Sequence, residues 1–360
     1  MPLSISSSEP MSAAEPVFER PIPVLGRSGL LALFVAVLLM GGWENWVRGQ
    51  GVTPSYRNSD GLWAEQRRRI DHGDGDGWVL SGSSRTLFDI QLAVWERLDG
   101  RRPVQLALEG SSPVTVMEQL AGYPDFTGTL LVGVAPGLFF SGYELRRRAM
   151  DRYLDETPTQ WLGQKVSMLV EPFLAFYNFD YALPAILRRQ SLPRREGVDF
   201  KLEVRKLSNM ERDRNTRLWD RLIRDEDYRR LATDIWEQFM QPLAELPPEV
   251  QEGILQGRET QIDRAVTAYL ALTARGVQVI FVQMPYAGGY TESERDFAPR
   301  AETWDVLLER TGALGLHFED HPEMQGYWLP EWSHMTGEEA DRFTETFYGL
   351  IQRELAARGS

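Results

Sequence analysis

The chain has no cysteine among its 360 residues. Disulfides, thiolate nucleophiles and thiolate metal sites are therefore excluded, while the redox compartment stays undecided. Lysine is nearly absent as well, occurring only at Lys165, Lys201 and Lys206 in a Lys+Arg total of 39. That bias reads as base composition, not as function. No excess of positive charge exists; the net charge is −13, which excludes nucleic acid as a partner. Histidine is limited to His72, His317, His321 and His334, so any imidazole chemistry must be found among those four. No internal repeat is visible.

Residues 1–20 are rich in Ser, Pro, Ala and Glu and read as a disordered tail. The one long apolar run is Ser28–Trp43. As a helix it reaches roughly 24 Å against a hydrocarbon core of about 30 Å, and the uncharged Pro21–Gly26 with a snorkelling Arg27 completes a span. Trp43 and Trp46 suit a membrane interface. No small-x-small pair follows the run, which favours an uncleaved anchor over a signal peptide. The expected organisation is a tail at 1–27, a transmembrane anchor at 28–47, a membrane-proximal connector at 48–76 and a catalytic domain at 77–357. In the connector, Trp63–Ile70 with Arg67, Arg68 and Arg69 reads as a short helix with a solvated basic face. Asp71–Asp76 lacks the ligand spacing of a calcium loop and reads as an acidic turn.

Strands and helices alternate in the domain. Trp78–Leu80, Pro103–Leu108, Thr129–Val134, Val277–Gln283 and Leu316–Phe318 read as strands. Leu87–Trp95, Val114–Leu120, Glu259–Arg275, Arg300–Thr311 and Gly337–Ala357 read as helices, with Gly276 and Gly312 as stops. This predicts an α/β fold with a parallel sheet of about five strands. Residues 137–258 break the rhythm and read as a mostly helical insertion, aromatic from Gly137 to Gln190 and charged from 205 to 245. The aromatic part packs on the core or docks on a membrane or partner.

Chemistry concentrates at the strand ends. Gly82-Ser83-Ser84-Arg85 follows the first strand and opens a helix. A hydroxyl there either caps the helix or serves as a nucleophile facing free N–H donors. His321 and His334 lie beyond the fifth strand's carboxyl end, where ligands collect in open α/β sheets. His334 has Glu331 one turn before it, a spacing that can orient an imidazole. His317, Glu319, Asp320 and His321 alternate along an extended chain and so point to opposite faces, which argues against a metal. No cofactor is expected.

Three segments, in order, resemble the SGNH/GDSL hydrolase superfamily. Gly82-Ser83-Ser84-Arg85 is similar to its first block, with Ser84 at the nucleophile. Gly110 resembles the second-block glycine whose N–H helps form the oxyanion hole. Glu331-x-x-His334 resembles the closing Asp-x-x-His block. The α/β-hydrolase elbow is excluded because Thr86 stands at its second glycine. The Gly-Ser-Ser form, the anchor and Val277–Pro285 resemble one branch, the membrane-anchored proteins that O-acetylate exopolysaccharides such as alginate or D-alanylate teichoic acids. The resemblance implies a flavodoxin-like three-layer sandwich, with Ser84, His334 and Glu331 catalytic and with Ser84 and Gly110 N–H groups in the oxyanion hole. It also implies an extracytoplasmic domain on the cell (inner) membrane, a polysaccharide acceptor and a multi-spanning membrane-bound O-acyltransferase as partner. Arg85 is a candidate for binding an anionic substrate, with structural ion pairing as the alternative. The chain departs from the family twice: Gly133-Val134-Ala135-Pro136 lacks the third-block Asn donor, and Glu331 replaces Asp. Transferase, esterase of the same fold and degenerate scaffold are the three functions left open.

Overall fold

A computed structural model describes residues 25–189, 202–203 and 205–359. Residues 1–24 of the expected tail and the segment 190–201 lie outside the described residues, while 25–27 open the first helix instead of ending the tail. The chain divides into two units between Trp46 and Val47. In the first, helix α1 (Leu25–Gly49) begins. Its 25 residues reach roughly 37 Å. It is long and apolar enough to cross a membrane, and Leu30 through Met40 are exposed along it.

The second unit opens with α2 (Asp60–Asp71), capped by the Ser59 hydroxyl on the Leu62 N–H. Next come β1 (Trp78–Ser81), α3 (Ser84–Asp89), α4 (Leu92–Asp99), β2 (Val104–Gln105), α5 (Val114–Ala121) and β3 (Thr129–Gly133). A hairpin of β4 (Ser208–Met210) and β5 (Thr216–Leu218) stands apart, and β6 (Gln278–Gln283) and β7 (Leu314–His317) complete the main sheet. That sheet is parallel throughout, in the order β2-β1-β3-β6-β7. Alternate residues feed two cores. Leu130 and Val132 join Phe281, Met117, Ile262 and Leu272 on one face, and Leu131 joins Leu80, Ile280, Trp95 and Phe343 on the other. Both faces are thus covered by helices, as the apolar runs of a parallel sheet require.

Several expectations need correction. The α2 region is no solvated connector. Trp63 is fully buried and donates its indole N–H to the Leu106 carbonyl (2.9 Å). Arg67 is buried between the rings of Tyr123 and Tyr153 and pairs with Asp71 at 2.8 Å; Arg68 pairs with Glu65 and Glu156, and Arg69 with Asp74. The single helix expected at 87–95 is two, because the break at Ile90-Gln91 is held by tertiary partners. The Gln91 N–H donates to Thr344 Oγ1 (2.9 Å), and the Leu92 N–H to Asn215 Oδ1 (2.8 Å). The helix expected from Glu259 starts at Pro248, so the insertion runs without a break into the crossover helix Pro248–Thr273. The strand expected at 316–318 sits two residues earlier, and the 205–245 stretch contains the unexpected hairpin.

That hairpin seals the sheet edge. Buried Arg214, in its turn at φ 69°, donates to the carbonyls of Gln105 (3.1 Å) and Ala107 (2.8 Å) on the β2 edge. Burial lowers its pKa to about 9, against the opposing pull of Glu109.

Candidate active site

β1 lies between β2 and β3, so the chain leaves it in opposite directions for its two neighbours. Ligands of open parallel sheets bind at such a switch point, outside the strands' carboxyl ends. Gly82, Ser83 and Ser84 occupy it. Ser83 is 2% exposed at the N-cap and makes no capping bond, whereas Ser84 is half-buried at the first helical position. Of the two hydroxyls, Ser84 is the one open to a ligand. The turn is tight because Thr86 fills it. A Cβ on Gly82 would come 2.1 Å from Thr86 Oγ1, and one on Gly133 would come 1.8 Å from it.

Glu331 and His334 form a fully buried pair. Glu331 Oε1 accepts from the His334 backbone N–H (2.7 Å) and from Nδ1 (2.8 Å). Its Oε2 accepts from the Trp236 indole N–H at 2.7 Å. The Glu side chain therefore reaches the ring across one turn of backbone. A carboxylate at Nδ1 fixes the proton there and leaves Nε2 as the lone-pair nitrogen. Nε2 is buried, and among the described residues it has no hydrogen-bond partner, Ser84 included. Such bonds are commonly long before a ligand binds.

The imidazole stacks on Phe88, ring centroids 4.2 Å apart and planes at 26°. Phe88 lies four residues after Ser84 in α3, so the ring rests on the helix face that carries Ser84. The Met335 N–H donates to Asp89 Oδ1 (2.9 Å), tying the His334 loop to the end of α3. Between the dyad residues, Trp332 has φ 74°, a left-handed conformation that costs a bulky residue roughly 1–3 kcal/mol. Its ring covers Gly288, where an added Cβ would lie 2.4 Å from the indole.

Leu106 N–H donates to the Leu80 carbonyl (2.8 Å) and Leu108 N–H to the Gly82 carbonyl (2.9 Å), so the two chain segments run side by side up to the serine turn. Gly110 follows two residues after the second of these bonds. Its φ of 60° and the Leu145 side chain, 2.9 Å from any added Cβ, both favour glycine. The turn after β3 carries no side-chain donor. Val134 N–H is spent on the Val282 carbonyl (2.7 Å), Pro136 has none, and Gly137 N–H donates to Glu294 Oε2 (2.6 Å).

Arg85 is not placed to meet a substrate. It is 4% exposed, pairs with buried Glu294 at 2.9 Å and lies against Tyr286 and Tyr290. Burial would lower its pKa; Glu294 and the tyrosines outweigh that and hold it raised. The structural alternative holds, and the sequence could not reveal it because Glu294 is remote in the chain. His317 is buried beside Trp304 and Phe318, and desolvation with nearby Arg300 lowers its pKa to about 4. Among the described residues no group of three or more His, Asp or Glu side chains is placed to hold a metal ion.

Two residues of the site escaped the sequence reading. Asp89 is buried against the His334 loop, and desolvation raises its carboxyl to about 7 against the opposing pull of His334 and the Met335 N–H. The signal was a single acid inside Leu87-Phe88-Asp89-Ile90, since an unneeded buried charge is costly. Trp236 carried no signal, because its partner is 95 residues away.

No family model matches the chain, and no curated protein matches it.

Proposed function

We propose that this chain is a membrane-anchored, SGNH-like acyltransferase that passes an acyl group, most simply acetyl, through Ser84 to a hydroxyl of a cell-surface or secreted polysaccharide. The observation that carries the reading is the Glu331–His334 pair, its Nε2 unengaged, laid on the face of α3 that bears Ser84. The strand order supports the flavodoxin-like layering that goes with it, since the sequential order 2-1-3-4-5 belongs to that arrangement.

On this reading Nε2 takes the Ser84 proton as Oγ bonds to the acyl carbon. The N–H groups of Ser84 and Gly110 stabilise the oxyanion. The tetrahedral intermediate collapses, the leaving group departs with the proton held on His334, and an acyl-serine remains. A sugar hydroxyl then gives its proton to Nε2 as its oxygen bonds to the acyl carbon; the second tetrahedral intermediate collapses, the bond from the acyl carbon to Ser84 Oγ breaks, and Nε2 returns the proton to Oγ. Glu331 keeps the proton on Nδ1 throughout. With water in place of the sugar the same steps make the chain a carbohydrate esterase. The α1 helix favours transfer beside a membrane-bound O-acyltransferase, with the domain on the extracytoplasmic side.

A second reading, a catalytically degenerate scaffold for polysaccharide assembly, is favoured by the turn after β3, which lacks the Asn side-chain donor. One missing oxyanion donor costs roughly 3 kcal/mol. The test is turnover of p-nitrophenyl acetate with and without acetylatable oligosaccharides. Acetylated sugar that disappears in Ser84→Ala and His334→Ala supports transfer; acetate alone supports the esterase; no Ser84-dependent product supports the scaffold.

A further inference from the structure

Helix Pro158–Val170 buries Gln164 and Met168 and leaves an apolar stripe in the open. Leu162, Val166, Leu169 and Phe173 recur at i, i+4, i+7 and i+11, and Leu169 and Phe173 are 71% and 70% exposed. Scattered exposed apolar residues need no explanation, but an aligned row of this size does. The row carries no free charge. Within residues 158–187 the charged side chains are Lys165, Glu171 and Asp180. Lys165 pairs with Glu65, Glu171 accepts from the Arg57 N–H and the Ser167 hydroxyl, and Asp180 pairs with Arg189.

The start of this unit is fixed at the foot of the same row. Val47 is buried, and Arg48 Nη2 donates to the carbonyl of Phe173 at 3.0 Å. Val47 and Arg48 lie in the last turn of the apolar helix of membrane-spanning length, Gly26–Gly49. Whatever bilayer holds that segment therefore meets the unit beside Phe173. A surface there must be apolar and free of unpaired charge if it is to enter the boundary between headgroups and acyl chains.

From this we infer that the Leu162–Phe173 row is a lipid-docking face that seats the domain on the bilayer holding its own anchor. The inference goes beyond the acyl-transfer reading and does not depend on it. Docking of this kind would restrict the domain to one orientation over the membrane, where a tether alone would leave it free to turn.

The absence of cysteine makes the test clean. Spin labels are placed one at a time by Leu162→Cys, Leu169→Cys and, as an aqueous reference, Glu309→Cys, in the full chain reconstituted in phosphatidylcholine–phosphatidylglycerol vesicles. All three positions are exposed, so labelling leaves the fold intact; circular dichroism checks this. The expected result is a several-fold higher ratio of oxygen to nickel-chelate accessibility at 162 and 169 than at 309. Equal ratios at all three would place the row in water and overturn the inference. Shielding of 162 and 169 from both reagents would overturn it too, because the row would then be covered by protein.

Discussion

Glu331 receives three hydrogen bonds, and the one from Trp236 comes from a segment that the family resemblance leaves unassigned. Trp236→Phe keeps an aromatic side chain but removes the indole N–H together with part of the ring volume. It leaves a buried carboxylate oxygen unpaired, at a cost of about 1–3 kcal/mol. The expected outcome is a lower urea midpoint with an unchanged slope, and slower acylation of Ser84 with little change in KM. Asp89 gives a pH dependence. Its carboxyl rises from 3.8 to about 7 on folding, so between those values the folded chain holds a proton that the unfolded chain has released. Stability from this group is complete below the lower value and is lost as pH rises through about 7. Urea unfolding should therefore show the wild type losing stability relative to Asp89→Asn from about pH 4 to about pH 7 and little further change above that. At this scale Ser84, Gly110, Glu331 and His334 could be singled out as candidates because each sits in a short motif at a strand end. The structural role of Arg85 was not legible, since its partner Glu294 is 209 residues away.

Elements were legible where periodicity ruled and opaque where tertiary contacts overrode it. The five strands of the sheet were readable as apolar runs. The break between α3 and α4 was not, because Asn215 and Thr344 supply the bonds that replace helical ones. The hairpin carrying Asn215 lies in a stretch whose charge pattern looks helical. α2 looked solvated because its three arginines sit together in sequence, while the acids and rings that pair with them come from elsewhere. The turn that presents Ser84 depends on two glycines around Thr86. Gly133 has ordinary strand backbone, so Gly133→Ala tests contact alone. It should cost about 1–3 kcal/mol by overpacking, and adding Thr86→Ala should restore most of that loss. Thermal unfolding of the single and double variants measures both.

For the whole molecule, the alternation of strands and helices predicted the parallel sheet, whereas the switch point at β1 is visible only in the strand order. The sequence placed the insertion but not its purpose. Its hairpin seals the β2 edge, its Leu218 and Leu222 share a core with Leu87 and Phe88, and Trp236 holds the Glu331 carboxylate. The insertion is thus part of the site's scaffold, which no local pattern could express. The unit from Val47 onward owns its cores, so a chain starting there should stay in the supernatant without detergent while the full chain sediments with membranes; fractionation followed by immunoblotting reads this. The central claim is that Ser84 forms a covalent acyl intermediate with His334 as its base. The most direct measurement is intact-protein and peptide mass spectrometry of the full chain after brief exposure to p-nitrophenyl acetate. The account predicts one acetyl group, mapped to Ser84, absent in Ser84→Ala and nearly absent in His334→Ala. An unmodified Ser84 in the folded wild type, or equal labelling in His334→Ala, would contradict it.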